Sequence, residues 1–295
     1  MRIQRTHLAG FLALAITACA RGERASTAGS LAVTDDAGRR VTLPAPARRI
    51  VSLLPSFTEL LFAIGAGDRL VGRTTWCDYP PQALAVASVG DGIPPNVEAV
   101  AARTPDLVVL YRSAPNVTAA AQLGRLGIRS VLFDLNRLEE LGPVARRLGV
   151  LTGQVGRADS LARVTDSLAS QPPVPSPQSL VFIVWDNPPI VIGAGSYLDR
   201  LAGLAGARNV FHDIGSPSAQ VSIETIAARD PDFIAVLADS TMRGPPRYAA
   251  RPEWRVVRAV RERRFLSLPG QLFGRPTPRV AEAVGQLRRL LATTP

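Results

Sequence analysis

Thirteen residues are written twice in this chain. EAVAARTPDLVVL covers Glu98–Leu110 and ETIAARDPDFIAV covers Glu224–Val236. Six positions agree (Glu, Ala, Ala, Arg, Pro and Asp) at a constant offset of 126, and most of the others exchange one apolar residue for another. Each copy reads as a helix led by glutamate, then Pro-Asp, then a strand. The duplication predicts two lobes of similar construction, and 295 residues are long for one compact core. Asn96 caps the first helix and Ser222 the second, with Glu98 and Glu224 in the first turns. A carboxylate there gains ~0.3–1 kcal/mol from the helix dipole. The residues alone leave that explanation open beside a shared function.

The rest of the chain supports the two-lobe reading. Leu31–Leu43 alternates around Asp35-Asp36-Ala37-Gly38, a hairpin pattern. A strand over Ile50–Leu54 leads to a helix over Phe57–Ile64, with Ser56 as cap and Glu59 as its capping-box partner. Strands at Leu70–Thr74 and Ser130–Phe133 and a helix at Val117–Leu126 complete an α/β series with parallel strands. Arg137–Ala169 then carries apolar residues at steps of three and four for 33 residues, with Gly149, Gly153 and Gly156 as candidate kinks. Pro172-Pro173-Val174-Pro175 ends it. A second series follows: strands Leu180–Trp185, Ile190–Ile192 and Phe265–Leu268, and helices at Tyr197–Ala205, near Glu253–Arg261 and at Pro278–Ala292. The expected fold is two α/β lobes, 31–136 and 178–295, joined by one long rigid helix over 137–171, with a ligand cleft between the lobes.

The N-terminus reads as an export signal. Arg2 and Arg5 precede an uncharged run over Leu8–Ala18, far short of the ~20 residues a membrane span needs. Ile16-Thr17-Ala18-Cys19 resembles the bacterial lipoprotein box, which makes residues 1–18 the signal and Cys19 the lipidated first mature residue. Residues 19–30 are small and polar, as a flexible tether to a membrane should be. With Cys19 so used, Cys77 has no partner for a disulfide, and is read as a buried thiol or a ligand-lining one.

Several chemistries are poorly served. His212 is the single histidine outside the leader, there is no Gly-x-Ser-x-Gly, and His212 with Cys77 cannot fill a typical zinc site. Gly193-Ala194-Gly195 lacks the third glycine of a dinucleotide loop, since position 198 is Leu. The net charge of +10 is mostly scattered arginine. Its densest stretch, Arg255–Arg264, reads as the wet face of a helix with Val256, Val257 and Val260 turned inward, not as a nucleic-acid contact. Capture of a small molecule, without catalysis or a cofactor, fits better than conversion; a tethered enzyme and a structural envelope protein are the other classes.

Five stretches carry a family resemblance: VTDDAGRRVTLPAPARRIVSLLPSFTELLFAIGAGDRLVG, WCDYPPQA, PNVEAVAARTPDLVVL, QVSIETIAARDPDFI and FGRPTPRVAEAVGQLRRLL. Together the chain resembles, over Ala32–Ala292, the substrate-binding proteins of bacterial ABC importers for cobalamin and iron complexes. The resemblance implies that 48–295 is such a binding domain, monomeric and periplasmic. It implies that Glu98 and Glu224 dock on arginines of the importer's two membrane subunits. It also implies that Trp76 packs on a corrin ring and that Arg275 and Gln271 meet the ligand's amide rim. Ser56, Arg112, Ile190 and Phe273 complete the expected ligand set. Ile190, Ser218 and Gly92 stand where close cobalamin binders have aromatics. That departure keeps a siderophore, held by Arg73, Arg112 and Arg275, and haem, held by Tyr79 or Tyr111, as alternatives to a corrinoid.

Overall fold

A computed structural model describes residues 30–238 and 244–293. The leader, Cys19 and the tether as far as residue 29 lie outside them. The expected hairpin forms from β1 (Leu31–Thr34) and β2 (Arg40–Leu43). Asp35 closes its turn by accepting the Ala37 and Arg39 backbone N–H groups at 3.1 and 2.8 Å. Then come β3 (Ile50–Ser52), α1 (Pro55–Ala63), β4 (Leu70–Arg73), α2 (Val97–Ala101), β5 (Leu107–Tyr111), α3 (Ala114–Arg125) and β6 (Ser130–Phe133). These strands form a fully parallel sheet in the order β4-β3-β5-β6.

After α4 (Leu141–Thr152) and α5 (Val155–Ser170) the second lobe begins. It comprises β7 (Ser179–Asp186), β8 (Pro189–Ile192), α6 (Tyr197–Ala205), β9 (Arg208–Asn209), β10 (Ser218–Gln220), α7 (Ile223–Ala228), β11 (Phe233–Ala238), α8 (Arg258–Arg261), β12 (Phe265–Pro269), α9 (Gly270–Phe273) and α10 (Val280–Thr293). Its sheet runs β10-β8-β7-β11-β12, with β9 also paired to β7. This sheet is mixed. Only Asn187 and Pro188 separate β7 from β8, too few residues for a parallel crossover, so the two strands pair antiparallel.

The duplicated segments occupy matching places. α2 leads to β5, whose Leu107 pairs with Ile50 of β3; α7 leads to β11, whose Phe233 pairs with Leu180 of β7. Both strands are buried on both faces, which is why they read as continuous apolar runs. Leu107 and Val109 face one cluster while Val108 and Leu110 face another; Phe233 and Ala235 alternate with Ile234 and Val236 in the same way. The turn before each strand also repeats: Thr104 (φ 46°) and Asp230 (φ 43°) are both left-handed and both precede the shared proline.

Two expected helices are corrected. The run over 137–171 is not one helix. Gly153 (φ 67°) ends α4 in the left-handed conformation, which glycine adopts without a Cβ clash, and α5 starts two residues later. The two helices lie antiparallel: Arg146 pairs with Asp166 at 2.7 Å, and a Cβ on Gly149 would come within 2.4 Å of the Ala158 Cβ. The helix that joins the lobes is therefore α5 alone, 16 residues or ~24 Å long, braced by α4. Near the C-terminus, the helix expected over Glu253–Arg261 is a 3-10 turn (Pro252–Val256) followed by the short α8, and Val256 points outward at 53% exposure while Val257 and Val260 are buried.

One buried apolar cluster crosses from lobe to lobe, taking in Phe57, Leu141 and Leu148 on one side and Leu201, Phe273 and Leu287 on the other. At ~1.5–3 kcal/mol per buried side chain, wide separation of the lobes would expose more apolar surface than a loosely bound ligand could offset. Small-angle scattering should therefore show a change below about 0.5 Å in a radius of gyration of roughly 18 Å when ligand binds. Compaction of several ångströms would contradict a braced connection.

Candidate ligand cleft and docking residues

A cleft of about 650 Å³ separates the lobes. The first lobe contributes residues at the carboxyl ends of its strands: Leu54 and Ser56 after β3, Tyr111 at the end of β5, and Leu135 to Arg137 after β6. Loops that follow parallel strands gather at one edge of a sheet, so a ligand site arises there by topology. The second lobe contributes Ile192, the start of α6 from its cap Ser196 to Leu198, Pro217 and Ser218, and Phe273 at the end of α9 with Gly274 to Pro276 beyond it. Most of this lining is apolar. Its polar groups are partly committed: the Tyr111 hydroxyl donates to Asn136 Oδ1 at 2.9 Å, and Glu140 accepts the Asn136 and Arg137 backbone N–H groups at 2.6 and 3.1 Å.

Of the expected ligand residues, Ser56, Phe273 and Arg275 line this cleft; Trp76, Arg112, Ile190 and Gln271 are not among the lining residues. Ser56 does not cap α1. Leu54 holds the N-cap position and Pro55 the first turn, where its fixed φ suits a helix start. The expected capping box is therefore absent, and Glu59 does something else. It is buried on α1 and grips the second lobe: Thr277 Oγ1 donates to Oε2 at 2.5 Å, Arg279 Nε to Oε2 at 2.9 Å and Arg275 Nε to Oε1 at 3.1 Å. Asp78 extends the contact by accepting from Arg275 Nη2 at 2.9 Å and from Gln271 Nε2 at 2.7 Å. The Arg279 guanidinium lies 3.6 Å over the Tyr79 ring. Arg275 and Gln271 thus act as a clasp between the lobes. The sequence of α1 gave no hint of this, because a glutamate three residues after a serine reads as a capping-box partner.

The WCDY loop divides its duties. Asp78 and Tyr79 join the clasp, Cys77 is buried with its Sγ 3.1 Å from Thr74 Oγ1, and Trp76 stands out at 64% exposure. A second indole, which the sequence reading passed over, is Trp185 near the end of β7, 60% exposed. Its Nε1–H donates to the Asn187 carbonyl at 2.8 Å, and it is the register partner of Ile190. Gly92 cannot replace a missing aromatic: its φ is +87° and a Cβ would meet Thr74 Cγ2 at 2.5 Å and the Leu53 carbonyl at 3.2 Å.

Neither Arg73 nor Arg112 is poised for an anion. Arg73 donates to the carbonyls of Val86 and Thr74 at 3.1 and 2.9 Å. Arg112 forms a two-pronged pair with Asp134 at 2.8 and 2.6 Å, and that hydrogen bond raises the guanidinium's pKa further.

Glu98 and Glu224 are both exposed, five residues after cleft-lining Ile93 and six after cleft-lining Ser218. The expected caps form: Asn96 Oδ1 accepts from Ala99 N at 2.9 Å and Ser222 Oγ from Thr225 N at 3.1 Å. The Glu224 carboxyl is held below the usual carboxylate range by its own backbone N–H and by the Ser222 hydroxyl. Among the described residues, neither glutamate has an ion-pair partner. Other repeated positions have evident structural work. Asp106 accepts the Arg48 and Arg49 N–H groups ahead of β3, and Asp232 accepts the Ser179 N–H at the start of β7.

Comparison with known proteins agrees with this architecture. A vitamin B12-binding protein of Vibrio cholerae serotype O1 is 30% identical over 249 residues, 83% of this chain and 89% of that protein. The crystal structure of the periplasmic vitamin B12 binding protein BtuF of Vibrio cholerae superposes with a TM-score of 0.65 at 27% identity, covering 84% of this chain and 98% of that one. A periplasmic heme binding protein from Pseudomonas aeruginosa superposes with a TM-score of 0.67 at 25% identity, covering 84% and 94%. The family model for periplasmic binding proteins matches residues 50–272, so the chain belongs to the periplasmic binding protein family.

Proposed function

We propose that the protein captures cobalamin or a related corrinoid outside the inner membrane and delivers it to an ABC importer. The observation that carries this is an apolar cleft between two braced lobes in a chain 30% identical to a vitamin B12-binding protein. A flat, amide-rimmed macrocycle suits an apolar cleft of this size. Trp76 offers one face from the first lobe, and Trp185 supplies, beside Ile190, the aromatic that Ile190 itself lacks. The committed arginines weigh against an anionic siderophore. In this reading the protein is a monomer without cofactor or catalysis, exported to the periplasm and held to a membrane by lipid on Cys19. Glu98 and Glu224 contact one membrane subunit each.

Titration with cyanocobalamin, a ferric hydroxamate and haemin tests the reading. Saturable one-to-one binding of cyanocobalamin is expected, with Trp76→Ala and Trp185→Ala each weakening it about tenfold, the equivalent of one lost aromatic contact. Binding of haemin with none of cyanocobalamin would favour the second reading, for which Tyr111 in the cleft is the specific observation. Tyr111→Phe would then remove the haem's axial ligand.

A further inference from the structure

A second pocket, of about 300 Å³, lies against the segment that leaves α5 and enters β7. One wall is Pro173 and Val174 of that segment, both exposed; the other is Gly203 and Ala207, at the end of α6 and just beyond it. The segment is fastened there, since Val174 N–H donates to the Gly203 carbonyl at 2.8 Å. The polar rim carries Asp199, Asn209, Arg208 and His212. Asp199 is mostly buried and fully engaged: Oδ1 accepts Asn209 Nδ2 at 3.0 Å, and Oδ2 lies 2.9 Å from His212 Nδ1. A carboxylate on Nδ1 fixes that nitrogen as the donor and leaves Nε2 turned to the exposed side of the ring. Arg208 is exposed and, among the described residues, has no carboxylate partner.

We propose that this pocket is a second small-molecule site, for a compact hydrophobic carboxylate. Its apolar body rests between Pro173, Val174 and Ala207, and its carboxylate accepts from the Arg208 guanidinium and from Nε2–H of the His212 ring in its protonated, imidazolium form. The pocket backs onto the cleft. α6 presents Tyr197 and Leu198 to the cleft and Asp199 and Gly203 to the pocket, and Asn209 joins the two by donating also to the carbonyl of cleft-lining Ile192 at 2.9 Å. Occupation therefore restrains both the segment between the lobes and one wall of the cleft. The site stands on its own residues and does not depend on the identity of the cleft's ligand.

The test is titration of the mature chain with naphthalene-2-carboxylate and, separately, its neutral carboxamide. His212 is the single histidine beyond the leader, so its ring resonances report occupancy without assignment ambiguity. The expected result is saturable binding of the carboxylate that shifts the His212 ring signals, at least tenfold weaker binding of the carboxamide, and loss of binding in Arg208→Ala. His212→Ala, followed calorimetrically, should also weaken binding at least tenfold. Both side chains are exposed, so unchanged far-ultraviolet dichroism is expected of each variant. No saturable binding, equal binding of the carboxamide, or binding indifferent to Arg208→Ala would each overturn the proposal.

Discussion

Replacing Glu98 and Glu224 together by alanine is expected to abolish import while leaving ligand affinity within about twofold of the parent. Truncating one partner of a charge pair that docking buries and hydrogen-bonds costs ~2–5 kcal/mol. Two sites on separate lobes share no contacts and should add, so docking should weaken by at least about a thousandfold. Loss of the helix-dipole interaction costs only ~0.3–1 kcal/mol at each site and will not unfold either lobe. Neither glutamate lines the cleft, which keeps the binding step apart from the docking step. The repetition itself argues for a role outside the fold. Asp106 and Asp232 recur because each ties a neighbouring strand, and the shared proline recurs with the left-handed residue before it. Among the described residues the glutamates make no such internal contact. Each single variant should show an intermediate defect, measured as uptake of labelled ligand and as stimulation of the importer's ATPase. Parental uptake by the double variant would refute the docking role.

Local pattern was legible where one element decides its own form. The hairpin at Asp35, the helix over Tyr197–Ala205, the strand over Ser130–Phe133 and both helix caps follow from turn chemistry, periodicity and cap residues. The duplicated segment located two equivalent strand positions because its apolar run and its proline have local causes, while its aspartate repeats the same tie to a strand more than fifty positions away. Long-range pairing was not legible. Apolar spacing continues from Arg137 to Ala169 whether the chain runs straight or folds back, and only close approach at Gly149 and the left-handed Gly153 distinguish the two. Glu59 reads as a capping residue in one dimension; its partners stand 216 to 220 positions away. Arg275 and Gln271 were placed near the cleft by resemblance, and no sequence pattern could show that they also pair with Glu59 and Asp78. Trp185 was hidden because a tryptophan in an apolar strand reads as core.

The variant with the largest expected effect on stability is Glu59→Ala. The Glu59 side chain is 1% exposed, and those of Arg275 and Arg279 are 18% and 15% exposed. These charges are little screened by water, and the two guanidiniums are balanced by Glu59 together with Asp78. Removing the carboxylate leaves Arg279 without a carboxylate partner, Arg275 with Asp78 alone, the Thr277 hydroxyl without its acceptor and a void between the lobes. Breaking a buried pair from one side costs ~3–5 kcal/mol. At ~2–4 °C per kcal/mol for a chain of this size, Tm should fall by roughly 6–20 °C. Asp78→Asn touches the more exposed half of the clasp, with its side chain 33% exposed, and should cost no more than about 1 kcal/mol. Arg279→Ala combined with Glu59→Ala should be less damaging than the two losses added, by ~0.5–3 kcal/mol, because the second change relieves a charge the first left uncompensated. The same variant should loosen the lobes, giving a larger radius of gyration in the free form and a measurable contraction on binding ligand. If Glu59→Ala melts with the parent, the ion pairs of the clasp are not what holds the lobes together, and the shared apolar cluster alone must do so.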